Sequence, residues 1–315
     1  MKNIILRPAE PGSDFKQLAI WFSILEDETN TESGLIEYFE KKKKNIFHMI
    51  AEDSHGELIG FYWALRSHLR ESLATFFLFV KPEERTQGVG SFLYGNLEMA
   101  MALANIKRLR VNIKDNSPQD REFAERRGFN EQSHAMKMRL NLDTFDGRAY
   151  DTIIDKLQSE GFKFTSMAEL GNTEDAQRKL YMLNETTSME TLGSDGSPSW
   201  TSFEDFQQSV CNADWYKPDG QIVVIDTNTG NWVAMSAISR FDDYAYNLHT
   251  GVDKRYRGRK LAQAVKVIAL RYARSMLKVD KVYTHHNTKN IPMIAIDLKF
   301  GYVQLPGTFL MEKTL

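Results

Sequence analysis

Hydrophobic residues recur along the chain at two spacings, one typical of helices and one typical of strands. Phe15, Leu18, Ala19 and Phe22 keep the three-to-four-residue spacing of an amphipathic helix. Short apolar runs are typical of strands, and in the first half they lie at 3–7, 46–51, 58–64, 73–80 and 109–113. The first half is therefore predicted to contain a strand, two helices, a hairpin, a strand, a long helix, a strand and a short helix. It closes with a strand at 136–142.

The second half repeats the later part of this order. After helical patterns near 150–157 and 176–183 come a hairpin at 222–238, a strand at 244–252, a long helix, a strand at 281–285 and a short helix. Both short helices end before a glycine and an aromatic residue, Gly128-Phe129 and Gly301-Tyr302. The pattern predicts an α+β protein of two tandem domains, 1–142 and 143–315. Each is expected to be a mixed, mostly antiparallel sheet flanked by helices.

A basic turn that contains glycine follows the same strand in each half. Residues 80–90 read VKPEERTQGVG and residues 252–262 read VDKRYRGRKLA, so Val80 and Val252 stand 172 residues apart. Such a turn between a strand and a helix start collects backbone N–H groups at the positive end of a helix dipole, which favours a bound anion. We call residues 80–90 the first cradle and residues 252–262 the second cradle, and we predict phosphate binding at both.

Composition narrows the class of protein. The net charge of −2 and the pI near 6.4 argue against a nucleic-acid partner, which usually requires a basic face. The one cysteine, Cys211, excludes an intrachain disulfide and favours a reducing, cytoplasmic location. Apolar runs are too short for a membrane span, and no Cys/His spacing predicts a metal site. The oligomeric state is left open.

The two cradles carry a resemblance to a known family. Arg85-x-x-Gly88-x-Gly90 after a strand, followed by a strand, an Asn and Gly-Phe, is similar to the GNAT superfamily of acetyl-CoA-dependent N-acetyltransferases. The second copy departs at one position, where Lys260 replaces the usual glycine. Two copies in register resemble tandem GNAT proteins of the mycothiol synthase type.

The resemblance implies acetyl-CoA as a co-substrate. Its pantetheine arm would lie between two diverging strands, against the backbone of Phe79, Val80, Thr250 and Val252, and its pyrophosphate would lie on the cradles. The further residues implied to bind it are Arg85, Gln87, Gly88, Val89, Gly90, Asn116, Arg257, Gly258, Arg259, Lys260, Leu261, Ala262 and Asn290. Asn116 and Asn290 are equally compatible with helix N-caps.

Catalytic residues are harder to identify. Many members of the family have a Tyr four residues before the Gly-aromatic pair, where this chain has Ala124 and Asp297. His249 lies three residues before Val252, and its unperturbed pKa near 6.5 suits a general base. His285 and His286 end the neighbouring strand, and because side chains alternate along a strand, one of the two must face away. We predict His249 as the base, with Asp297 as the second catalytic candidate.

The sequence thus predicts an acyltransferase that moves an acetyl group from acetyl-CoA to a primary amine, with the second half as the catalytic half. An alternative is a CoA-binding sensor without turnover, and a weaker alternative is a scaffold for a protein partner. Aromatic residues between 200 and 216 are expected to be core, although they could also wall a pocket. The sequence does not identify the amine.

Overall fold

The computed structural model describes residues 4–26, 29–194 and 196–315. The predicted first strand included Asn3, which lies outside the described residues. The strands are β1 Ile5–Arg7, β2 Ile46–Glu52, β3 Leu58–Arg66, β4 Leu73–Val80, β5 Arg108–Lys114, β6 Asn130–Asn141, β7 Phe162–Ser166, β8 Gln221–Asp226, β9 Asn231–Phe241, β10 Tyr244–Val252, β11 Lys281–Asn287 and β12 Val303–Thr314. The helices are α1 Phe15–Glu26, α2 Glu32–Lys42, α3 Val89–Leu103, α4 Pro118–Glu125, α5 Asp151–Ser159, α6 Glu174–Met189, α7 Phe203–Phe206, α8 Leu261–Tyr272 and α9 Ile291–Phe300.

The chain forms two compact units. Unit 1 contains Met1–Ile113, Ser117–Gln132 and Phe309–Leu315, and unit 2 contains Lys114–Asn116 and Ser133–Thr308. The last residues of the chain therefore complete unit 1, while most of β6 belongs to unit 2. The boundary after residue 142 remains a prediction about the sequence repeat.

In unit 1 the strands follow the order β1-β2-β3-β4-β5-β12. The pairs from β1 to β4 are antiparallel and β4–β5 is parallel. One face packs on α1 and α2 through a cluster rich in aromatic rings, and the other packs on α3. The alternating apolar residues of β3 and β4 supply both layers, as expected for strands buried on both faces.

Unit 2 repeats this architecture with the order β7-β8-β9-β10-β11-β6. β10 and β11 are parallel, whereas the other pairs are antiparallel. α6 and α7 cover one face, and α8 covers the other. The predicted α+β fold with mixed sheets is confirmed. Within the described ranges, no helix has the length and apolar character needed to span a bilayer.

Among the element boundaries that differ from the sequence prediction, two starts have a clear physical reason. The helix after the second cradle was expected from about Gly258 but begins at Leu261, because Gly258 and Lys260 both have positive φ and interrupt the helix. β6 begins at Asn130 rather than near Met136. The sequence did not predict its first residues as strand because they are polar and partly or fully exposed, and so lack the apolar pattern of a strand.

Candidate functional site

The strand that leads into each cradle diverges from its parallel neighbour. Over the described residues of unit 1, β4 pairs with β5 only at Leu73, Ala74 and Thr75. In unit 2, β10 pairs with β11 only at Ala245 and Tyr246. Residues 76–80 and 247–252 therefore lie beside a gap, and the backbone groups of alternate residues in each segment point toward it. We call these two segments the open edges, and they contain Phe79, Val80, Thr250 and Val252.

The open edge of unit 2 contains one extra residue. Ala74 and Ala245 each pair with the second residue of the neighbouring strand, yet Val80 lies six residues after Ala74 and Val252 lies seven after Ala245. The extra residue lies between Asn247 and His249, where the pairing with β9 shifts register. A β-bulge reverses the face on which later side chains lie. It therefore puts His249 on the α6 face with Tyr246.

Both cradles have the same backbone design. The Nε atom of Arg85 donates to the carbonyl oxygen of Val80 at 3.2 Å, and that of Arg257 donates to Val252 at 3.1 Å. Each loop also needs positive φ at two positions, Thr86 and Gly88 in the first cradle and Gly258 and Lys260 in the second. Each cradle thus has one glycine and one strained residue, at exchanged positions. Lys260 takes the left-handed conformation that glycine usually supplies, with φ of 68°.

The helices that follow the two cradles begin with buried residues. Val89 and Leu261 are the first helical residues and are almost fully buried. Gly90 has a packing role, because a Cβ there would lie 3.3 Å from the ring of Phe123. Unit 2 has Ala262 at the matching position. The Gln87 amide donates to the Glu83 carbonyl oxygen at 2.8 Å, which braces the first loop.

Charge differs between the two cradles. Glu190, at the end of α6, lies 3.1 Å from Arg257 and 3.4 Å from Lys254. This carboxylate neutralises part of the positive charge of the second cradle. Arg259 leans toward the rings of Phe162 and Tyr256, with its Cζ 5.8 and 5.7 Å from their centroids.

The two asparagines have different positions. Asn290 is the N-cap residue of α9, but its side chain makes no capping hydrogen bond. Asn116 precedes Ser117, the N-cap of α4, and is exposed. Their predicted contacts with the co-substrate remain predictions.

His249 is held under α6. Its Nε2 lies 2.8 Å from Thr187 Oγ1, which in turn lies 2.8 Å from the carbonyl oxygen of Leu183. The Thr187 hydroxyl has one proton, which we assign to its hydrogen bond with the Leu183 carbonyl oxygen. His249 Nε2 must then carry a proton and donate it to the hydroxyl, which leaves Nδ1 as the acceptor nitrogen of the ring. Burial lowers the pKa of His249 to about 4. The expected value near 6.5 is wrong for this position, because the packed surroundings disfavour the charged ring.

Gly251 makes the contact between His249 and Thr187 possible. A Cβ at this position would lie 2.4 Å from Thr187 Oγ1 and 2.6 Å from His249 Nε2. The matching positions of unit 1, counted back from the cradle, are Phe77 and Phe79. Phe79 is buried and stacks on Trp21 at 5.1 Å. Aromatic rings thus fill the region of unit 1 that corresponds to the His249 site.

Asp297 lies in a buried ionisable cluster. Its Oδ1 is 2.5 Å from Lys266 Nζ of α8, and its Oδ2 is 2.6 Å from His286 Nε2 of β11. Burial alone would raise the pKa of Asp297, but the Lys266 charge and the His286 hydrogen bond outweigh it and lower that pKa. Asp297 and Lys266 are fully buried, so Asp297 can reach a substrate only through His286.

The alternation of β11 separates the two adjacent histidines. Val282, Thr284 and His286 are buried, whereas His285 is exposed on the other face, with Nδ1 2.8 Å from the Tyr246 hydroxyl. His286 is a catalytic candidate in the sequence, but it is not one of the two predicted catalytic residues. Its even spacing from the apolar Val282 was the signal that could have placed it on the core side.

Three other kinds of site are less favoured, namely a cysteine nucleophile, an aromatic pocket and a metal centre. Burial raises the pKa of the Cys211 thiol to about 11, which keeps it protonated. Phe203, Phe206 and Tyr216 are core residues, with Trp200 and Trp215 packed against them. Within the part of the chain that the structure describes, no group of three His, Cys, Asp or Glu residues could hold a metal ion.

Solved structures share this fold. A GCN5-related N-acetyltransferase from Sphaerobacter thermophilus is 16% identical with a TM-score of 0.74, covering 99% of this chain and 95% of its own. A tandem GNAT protein from the clavulanic acid biosynthesis pathway is 15% identical with a TM-score of 0.71, covering 99% and 98%. At this identity the likeness shows the fold alone.

A glucosamine N-acetyltransferase region of a fungal multi-domain GH3 beta-N-acetylglucosaminidase is also similar. It is 14% identical with a TM-score of 0.77, and the match covers 99% of this chain and 38% of that protein. No curated protein sequence matches the chain.

The family comparison agrees with the duplicated geometry. The model of the acetyltransferase (GNAT) family matches the chain twice, at residues 15–129 and 186–302. Each matched stretch contains one open edge and one cradle. With two matches that together span most of its length, the chain belongs to the GNAT family of acetyltransferases, in a tandem arrangement.

Proposed function

We propose that this protein transfers the acetyl group of acetyl-CoA to a primary amine of a small acceptor and that unit 2 performs the transfer. The observation that supports this most strongly is the open edge that leads into a cradle, present in both units. An extended amide-containing chain can hydrogen-bond along such an edge as an added strand does.

The residues present fit the donor. Val80, Thr250 and Val252 offer backbone groups to the pantetheine amides at the open edges. The predicted contact of Phe79 is wrong for its backbone, because Lys81 N–H donates to the Ile59 carbonyl oxygen and the alternation of the ladder turns the N–H and C=O of Phe79 toward β3. Each cradle has two residues with positive φ, a backbone conformation found in the loops whose N–H groups bind anions, which suits a pyrophosphate. A Cβ added at Gly88 or at Gly258 would meet no atom within 4 Å, so both loops face open space.

The acceptor must lose a proton before it can attack. A primary amine is an ammonium ion near neutral pH, and its nitrogen becomes a nucleophile only after deprotonation. His249 is a neutral ring with Nδ1 as its acceptor, and it lies on the open edge of unit 2. In this proposal His249 takes the ammonium proton and releases it to solvent. With the pKa lowered to about 4, the ring is a weak base but stays neutral over the whole physiological range.

Unit 2 is the proposed catalytic half because its open edge carries polar side chains. Unit 1 has Phe77 where unit 2 has His249, and Phe79 where unit 2 has Gly251. Unit 1 retains the cradle and open edge and would bind acetyl-CoA without turning it over. A small-molecule amine as partner, rather than nucleic acid or membrane, and a cytoplasmic location belong to the same proposal.

Two measurements test the proposal. Acetyl-CoA at about 100 times its Kd should stabilise the folded state by roughly 2.7 kcal/mol and raise the melting temperature, and CoA should do nearly the same. Acetylation should then be followed over a panel of amines that includes amino sugars, aminoglycosides, polyamines and amino acids. Acetylation of at least one class is expected.

The outcomes separate the alternatives. Binding of acetyl-CoA without acetylation of any amine would favour a CoA sensor over an enzyme. No thermal shift with millimolar acetyl-CoA would overturn the cradle interpretation in both units.

A further inference from the structure

The proposed reaction leaves one proton without a carrier. The ammonium form of an amine has three N–H protons and the amide product has one. The first departs before attack, and the second must leave the nitrogen as the C–N bond forms, while the departing CoA sulfur needs a proton as the C–S bond breaks. A group beside the gap that moves this second proton from nitrogen to sulfur would account for every proton of the reaction.

The buried cluster of Lys266, Asp297 and His286 has no role in the steps described so far. Its members come from α8, α9 and β11, and the Tyr302 ring lies 5.0 Å from Lys266 Nζ. Among the described side chains, the Tyr302 hydroxyl is buried without a hydrogen-bond partner. Buried charges are costly to fold around, and buried ionisable clusters are frequent at functional sites.

Unit 1 shows that this fold does not require the cluster. At the positions matching Lys266, His286 and Asp297 it has Tyr94, Ile113 and Ala124. Ile113 and Ala124 are buried and apolar and belong to one core cluster with Tyr94. The same architecture is therefore built without a buried Lys–Asp–His set, which argues that unit 2 keeps its set for chemistry.

His286 lies at the gap. Ladder pairing between β10 and β11 ends at Tyr246 and Tyr283, and Thr284 Oγ1 then donates to the Asn247 carbonyl oxygen at 3.0 Å. His286 follows two residues later on the same face as Thr284. His249 and His286 each lie three residues beyond the last paired residue of their strands. The two rings therefore flank the opening from opposite faces of the sheet.

The hydrogen bond to Asp297 fixes the tautomer of His286. An ionised Asp297 accepts a hydrogen bond, so His286 Nε2 carries the proton. Nδ1 is therefore the ring nitrogen with a lone pair that can accept a further proton. An imidazole oriented by a carboxylate in this way can accept a proton and return it, because the carboxylate stabilises the imidazolium that forms.

We infer that His286 is the catalytic residue that carries the second proton, with Asp297 and Lys266 as positioning residues. The inference rests on the proposed function. Nδ1 takes the proton from the attacking nitrogen as the C–N bond to the acetyl carbon forms. It returns that proton to sulfur as the C–S bond breaks, so CoA leaves as the thiol and His286 ends neutral.

The positioning residues act through the ring. Asp297 holds Nε2–H, and Lys266 holds the other oxygen of the same carboxylate. The ionisable group in contact with His286 is Asp297 from α9, with Lys266 from α8 behind it, and the neighbouring His285 on β11 has its ring on the other face. Tyr302 lies over Lys266, and burial raises the pKa of its hydroxyl well above the usual value, so it stays neutral.

The test compares His286→Gln with His285→Gln. Gln keeps a polar side chain beside Asp297 but cannot carry a proton, and His285 is a matched control on the same strand with its ring on the other face. For the amine that the panel identifies, His286→Gln should lower kcat/KM by about 100-fold or more, mainly through kcat. Acetyl-CoA affinity, measured by calorimetry, should stay within a few-fold. His285→Gln should stay within a few-fold in both measurements.

A second measurement does not depend on turnover. Nitrogen-15 NMR of the wild-type protein near neutral pH should show His286 protonated at Nε2 and bare at Nδ1. Asp297→Asn should disturb this tautomer and lower kcat at least tenfold without weakening acetyl-CoA binding comparably.

Failure of the inference differs from failure of the proposed function. An active wild type with an equally active His286→Gln variant, or a ring protonated at Nδ1, overturns the role of His286 and leaves the acetyltransferase proposal standing. A wild type that binds acetyl-CoA but acetylates no amine overturns both. If His286→Gln does not fold, the tautomer of the wild-type ring decides.

Discussion

Units 1 and 2 share strand order, open edge and cradle but differ in the side chains around the opening. On the α1 face of unit 1, Trp21, Phe77 and Phe79 fill the space with packed rings. On the corresponding face of unit 2, Gly251 leaves room for His249 to meet Thr187. The backbone that binds the donor is therefore separable from the side chains that perform the chemistry.

The same contrast holds on the opposite face. Unit 1 has an apolar cluster that includes Ile113 and Ala124, whereas unit 2 has the Lys266–Asp297–His286 cluster. Apolar packing stabilises without the desolvation penalty that a buried ion pair must overcome. Unit 2 retains the less favourable arrangement, as expected where function constrains the side chains.

The largest effect is expected at Lys266. Lys266→Met removes the ammonium and leaves the Asp297 carboxylate buried with His286 alone, which should lower the free energy of unfolding by about 3–5 kcal/mol. Urea unfolding would measure it.

The matched control in unit 1 is Lys313→Met. Lys313 contacts Glu98, which is 40% exposed, and the Tyr94 hydroxyl. Because water screens this pair, the control should lose only about 1 kcal/mol or less. Equal losses in the two variants would show that the buried cluster is no more important to its unit than a surface pair.

His249→Phe gives unit 2 the side chain that unit 1 has at Phe77. Without a base, kcat/KM should fall by about 100-fold, while acetyl-CoA affinity changes little. A variant with unchanged kcat/KM would mean that the ammonium proton leaves by another route.

The same variant should change the acid stability of the protein. In the wild type the unfolded His249 takes up a proton below about pH 6.5, whereas the folded ring does so only near 4. Stability is therefore lost as the pH falls through this window, by at most about 1.4 kcal/mol per pH unit. His249→Phe should flatten this slope in urea unfolding at a series of pH values, and an unchanged slope would contradict the low pKa.

The smallest effect concerns the exchanged glycines of the cradles. Thr86→Gly and Lys260→Gly each relieve a non-glycine residue with positive φ and should stabilise the fold by up to about 1 kcal/mol. Lys260→Gly should also weaken acetyl-CoA binding modestly through the lost charge, whereas Thr86→Gly should not. Destabilisation by both variants would show that the loops are not strained there.

The repeated pattern of apolar runs and turns was enough to predict the fold. It located β4 at its observed bounds and found both cradles, because these features depend on local spacing. The bulge in β10 could not be predicted, since the extra residue is visible only in the register with β9. The two partners of Asp297 come from other elements, Lys266 from α8 and His286 from β11, so no local pattern reveals them.

The pKa of His249 shows a second limit. An isolated ring titrates near 6.5, and burial of His249 in the folded protein lowers its pKa. The side chains that distinguish unit 2 from unit 1 were visible in the sequence, but their geometry was not.

The central claim is that both units bind acetyl-CoA but only unit 2 transfers the acetyl group. Gly88→Val and Gly258→Val form a matched pair, because each puts a branched side chain at a positive-φ glycine of one cradle. The decisive measurement is the acetylation rate of the two variants, with calorimetric stoichiometry showing that each has lost one site. Gly258→Val should abolish acetylation, and Gly88→Val should keep it within a few-fold of wild type. Acetylation that survives Gly258→Val and is lost in Gly88→Val would contradict the assignment of catalysis to unit 2.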